Sequence, residues 1–110
     1  MIVADDTVSD ALKYLAQDPH PIAVARHAVT VAENARKGLF ASLFRGSNLS
    51  TVKDRETAAE CDDRFKEAQN KESDALMELE RHRARCRAAE MIIEVWRSEN
   101  ANARAAERVR

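Results

Sequence analysis

Apolar residues in the second half of the chain recur on alternating three- and four-residue steps. They are Ala58, Cys61, Phe65, Ala68, Ala75, Leu79, Cys86, Ala89, Ile93 and Trp96. That spacing marks one stripe of an α-helix and, sustained this far, the seam of a coiled coil or a long helical hairpin. No Gly or Pro interrupts residues 51–110, so nothing there forces a helix to stop. The weakest place is the polar run Gln69-Asn70-Lys71-Glu72-Ser73-Asp74, which sets Glu72 on the seam. Ser50 or Thr51 can cap the start, with Asp54 three residues after Thr51. The pattern predicts one long helix over about residues 50–105.

Two shorter helices precede it. Over about 7–17, Val8, Leu12 and Leu15 make one stripe with Ala11 beside them, and Asp6 or Thr7 can cap the first turn. Asp18-Pro19-His20-Pro21 ends this helix, because proline disfavours helical geometry in the residue before it. A second helix over about 21–45 offers Ile22, Ala25, Val29, Ala32 and either Ala35 or Arg36 as its core face. Gly38 is the place where it could weaken. The apolar segment 39–44 is expected to pack on the long helix, and 46–50 to form the main loop.

These elements predict an all-α fold within a single domain, 1–110, built as a helical hairpin or antiparallel coiled-coil bundle. Helix two is about half as long as helix three and can cover only half of the seam. Residues 76–96 are then left without a local partner. That predicts a homo-oligomer, either an antiparallel dimer or a four-helix assembly. Its interface would centre on Phe65, Leu76, Leu79, Cys86, Ile92, Ile93 and Trp96.

Charge adds a direction. The net charge is −1, but residues 51–80 carry five basic and ten acidic side chains, and 81–110 carry eight Arg and four Glu. A parallel pair would set like charge beside like; an antiparallel pair sets opposite signs together. Charged residues make up 34% of the chain and aromatics 5%, with two Gly and two Pro, which suits long helices rather than sheet or disorder. No apolar run is long enough to span a membrane, and the N-terminus lacks the basic and apolar regions of a signal peptide. A cytoplasmic, reducing compartment is expected, with Cys61 and Cys86 as free thiols.

Candidate chemistry is sparse. Arg81, Arg83, Arg85, Arg87, Arg97, Arg104 and Arg108 could track phosphates of a nucleic acid. On a helix they point in several directions, and Glu78, Glu80 and Glu90 lie within pairing reach. His82 and Cys86 are four apart on one face, but no second His/Cys pair completes a metal site. A Cys61–Cys86 disulfide across an antiparallel pair is the other use of these thiols. The chain has no Gly-rich phosphate loop, nucleophile elbow or HExxH motif, and adjacent Asp62 and Asp63 diverge on a helix. Neither an enzyme nor a cofactor is expected.

The stretch Ile92-Ile93-Glu94-Val95-Trp96-Arg97-Ser98-Glu99-Asn100-Ala101-Asn102-Ala103 resembles small uncharacterised helical proteins of temperate bacteriophages and prophages. The resemblance carries no catalytic or binding residues. It implies a phage or prophage origin and a small accessory role, in DNA metabolism or in countering a host system. The leading expectation is a structural module that binds protein partners of phage or host. The alternative is a nucleic-acid-binding accessory protein.

Overall fold

A computed structural model describes residues 2–109. It contains four helices: α1 (Asp5–Leu15), α2 (Pro21–Gly46), α3 (Val52–Cys61) and α4 (Asp63–Val109). No strand occurs among the described residues, so the fold is all-α, with the long C-terminal helix that the apolar spacing predicts.

The first two helices lie close to their expected bounds. The backbone of Ala4, rather than the side chain of Asp6 or Thr7, starts α1. Asp6 Oδ1 instead accepts the N–H of its neighbour Thr7 at 2.9 Å. Helix α2 runs through Gly38 without interruption. Thr51 caps α3 as expected: its Oγ1 accepts the Asp54 N–H at 3.1 Å, satisfying one of the orphan donors of the first turn.

The long third helix is where sequence and structure part. The polar run 69–74 is helical throughout, and the interruption falls earlier, at Asp62. There the backbone is extended, at φ −67° and ψ 133°. The cause is local side-chain competition. Asp62 Oδ1 accepts the Arg64 N–H at 2.9 Å, and both carboxylate oxygens take the Arg64 guanidinium at 3.1 Å. A short acidic side chain can thus offer the backbone an alternative to continued helix. The break changes the phase of the stripe. In α3, Ala59 is buried while Ala58 and Cys61, expected on the seam, are exposed.

The chain divides into two compact units. The first combines Met1–Ile22 with Arg81–Arg110, the second is Ala23–Glu80. In the second unit, Ala25, Ala59, Phe65 and Leu79 are buried. Phe40 of α2 meets Phe65 of α4 with ring centroids 5.6 Å apart, and Phe44 lies under the Arg55 guanidinium of α3 at 5.9 Å. The apolar 39–44 segment therefore packs inward, as its composition predicts. In the first unit, Ala11 and Tyr14 of α1 and Ala89 of α4 form the core, with Leu15, Cys86, Ile92 and Ile93 packed against it.

Candidate interaction surfaces

The seam of α4 is filled from within the chain. Its burial follows a heptad from Phe65 through Ala68, Glu72, Ala75, Leu79, His82, Cys86, Ala89 and Ile93 to Trp96, all buried or partly buried. In the second unit α2 covers it. Arg36, the polar member of the α2 core face, forms an ion pair with Glu72, the polar member of the seam. The pairing explains how a carboxylate occupies a seam position: it is partly buried opposite a guanidinium that sits in a matching place.

In the first unit α1 covers the seam. This corrects the expectation that residues 76–96 have no partner within the chain. Val8, Ala11 and Tyr14 face inward, and Leu12, expected on the stripe, is 51% exposed. Tyr14 is the residue that sequence reasoning missed. Its hydroxyl donates to the His82 backbone carbonyl at 3.1 Å and lies 3.2 Å from His82 Nδ1. The Arg85 guanidinium sits 4.3 Å above its ring, and the His20 ring meets it edge-on at 5.2 Å. The signal was present: Tyr14 continues the three-residue steps from Val8 and Ala11. The N–H of Val3 adds a bond to Glu99 Oε2 at 2.9 Å.

Two titrating groups feel this packing. Burial pushes the Tyr14 phenol above its ordinary value, partly offset by the Arg85 charge. Burial, reinforced by the Glu90 carboxylate, also pushes the Cys86 thiol up. Cys86 Sγ donates to Glu90 Oε1 at 3.6 Å. Cys61 is exposed, and both cysteines are free. Among the described residues no cluster of three or more His, Cys, Asp or Glu is arranged to hold a metal ion. Among them, too, no helix is long and apolar enough to cross a membrane.

The interface candidates separate by environment. Phe65 and Leu79 are buried in the second unit; Cys86, Ile92, Ile93 and Trp96 are partly buried in the first; Leu76 is 44% exposed. Exposed apolar side chains include Val24 and Val31 on the outer side of α2, and Met77 and Met91 on the side of α4 away from the seam. Of the candidate phosphate contacts, Arg83 is partly buried and Arg81, Arg85, Arg87, Arg97, Arg104 and Arg108 are exposed. At 100° per residue, Arg83, Arg87, Arg97, Arg104 and Arg108 share one broad side of α4 with Glu90 and Glu94, while Arg81 and Arg85 lie on another. Carboxylates interleaved with arginines weaken any field that would attract phosphate. No protein-family model, curated protein or solved structure matches the chain.

Proposed function

We propose that this chain is a structural, protein-interaction module of phage or prophage origin. In this reading it assembles with copies of itself, its long helix antiparallel to that of its partner. The observation that carries the reading is apolar surface left in water after the seam is filled. Val24 and Val31 are each 53% exposed, and Met77 and Met91 each 67%. Val24 and Val31 lie seven residues apart on one face of α2, and Met77 and Met91 fourteen apart on one face of α4, where a partner helix can cover them. The sign change between residues 51–80 and 81–110 sets the direction, since exposed charge pairs are individually weak but like-charge contact disfavours the parallel form. The phage origin rests on the resemblance of residues 92–103, and the two free cysteines suit a reducing, cytoplasmic setting. A phage or host protein is the further partner this origin implies.

The test is mass in solution by sedimentation over a range of protein and salt concentrations. Self-assembly predicts a dimer or tetramer that weakens modestly with salt through screening. A monomer at all concentrations would refute it. The rival reading is nucleic-acid binding through the Arg-rich half. It is favoured by the exposure of Arg97, Arg104 and Arg108 near the end of α4. That reading requires affinity for DNA or RNA that falls steeply with salt, and absence of binding at low salt removes it.

A further inference from the structure

Helix α2 carries a second apolar stripe on its outer side. Val24, Ala28, Val31 and Ala35 follow steps of four, three and four residues. They lie about 110° round the helix from the stripe that faces α4, at 100° per residue. All four are exposed. The charged residues of this part of α2, namely Arg26, Glu33, Arg36 and Lys37, lie off the stripe. Between the stripe and α4 runs a groove of about 550 Å³, apolar on its α2 side at Ala28, Val31 and Ala35 and edged on its α4 side by Arg64, Glu67 and Lys71. In a chain that is 34% charged, this uncharged run in water is a surface that a second helix can cover.

We propose that this face pairs with the same face of a second copy of the chain. The two α2 helices run antiparallel about a two-fold axis that passes between residues 29 and 30. In that register Val24 lies opposite Ala35 of the second copy, and Ala28 opposite its Val31. Each layer then sets a large side chain against a small one, the arrangement that lets facing helices interdigitate. A surface complementary to itself is what a two-fold dimer requires.

Charge points to the same axis independently. The Arg36–Glu72 and Phe40–Phe65 contacts fix the antiparallel register of α2 on α4. They place the middle of the α2 stripe opposite α4 at about residues 76–78. The net charge of α4 changes sign close by, between residues 80 and 81. A two-fold axis there sets the acidic first part of α4, residues 63–80, antiparallel to the same helix of the second copy, running toward its basic residues from 81 onward.

The inference rests on the self-assembly proposed above, and its test separates the two. Sedimentation is run on the native chain and on Val31→Lys and Ala28→Lys. Both sites face solvent, so helix content by circular dichroism should be unchanged. Each substitution should weaken dimerisation by about tenfold or more. In a Cys61→Ser, Cys86→Ala background, Ala28→Cys mixed with Val31→Cys should form a disulfide-linked heterodimer on oxidation, with each variant alone linking less. A native chain that is monomeric throughout overturns both readings. A native oligomer unaffected by both lysines, or cross-linking no better in the mixture than in the separate variants, overturns this face and register alone.

Discussion

Tyr14 is joined to His82 twice, through the imidazole and through that residue's own backbone carbonyl. One hydroxyl carries one proton. With that proton given to the carbonyl, the imidazole Nδ1–H must be the donor in the second bond. The arrangement fixes the ring between α1 and α4, where Arg85 closes its face. Tyr14→Phe keeps the ring and loses both bonds, and should cost about 1 kcal/mol in urea unfolding. Tyr14→Ala also opens a cavity and should cost about 3–5 kcal/mol. The alkaline response has a definite sign. The phenol is raised in the folded state, so the stability it contributes is full below its ordinary value of about 10 and is lost as pH rises through the folded value. Tyr14→Phe should therefore flatten the loss of stability above about pH 10. An unaltered alkaline limb in that variant would contradict the assignment.

The elements that local rules govern were legible in the sequence. Proline at 19 and 21 bounded α1, Thr51 capped α3, and the heptad spacing marked the buried side of α4 from Phe65 onward. Two things were not. Apolar spacing says that a seam is covered but not by what, so α1, with eleven residues, was overlooked as the cover of the second half. An aspartate in a helical pattern is ambiguous: Asp54 lies in the first turn of a helix, whereas Asp62 ends one by binding Arg64. Telling these apart requires knowing where the side chain points.

Arg36 and Glu72 tie α2 to α4 through a polar pair on that seam. Both side chains are mostly covered, at 27% and 20% exposure. Removing one partner strands the other charge, and Glu72→Leu or Arg36→Leu alone should cost about 1–2 kcal/mol. The double substitution fills the seam with apolar atoms and should regain most of that loss. A double-mutant cycle in urea reads the coupling. Additive single effects would mean that the pair contributes nothing as a pair.

The two cysteines should differ in reactivity. Cys61 is exposed on the last turn of α3. Cys86 is partly buried, and its thiol is held in the protonated, unreactive form by burial and by the Glu90 carboxylate. Alkylation of the native protein should label Cys61 first, and the two rates should converge in urea. Glu90→Gln removes the neighbouring negative charge and should speed Cys86 without altering Cys61. Equal native rates at the two sites would argue against the packing of α1 over this part of α4.

Asp62 decides where α4 begins, and the decision depends on pH. Its carboxyl is held below the usual range, first by the Arg64 side-chain bond and then by the Arg64 backbone N–H. A lowered carboxyl stabilises the fold above the unfolded value of about 4 and loses that contribution as pH falls through the folded value. Protonation weakens the acceptor that caps the first turn of α4, so protection from amide exchange at Arg64, Phe65 and Lys66 should decline in acid before that of residues 69–74. Asp62→Asn keeps a capping oxygen without the titration, and its protection over 64–66 should be independent of pH in that range. Asp62→Ala removes the competitor altogether. With a strong helix former in its place, α3 and α4 should join into one helix, seen as increased helicity and as protection at residues 62–64. The same variant should move Ala59 out of register with the α4 seam, because closing the break restores the phase that would bury Ala58 and Cys61. Cys61 would then label more slowly than in the native chain. Unchanged labelling and unchanged protection in Asp62→Ala would show that something other than this side chain interrupts the helix.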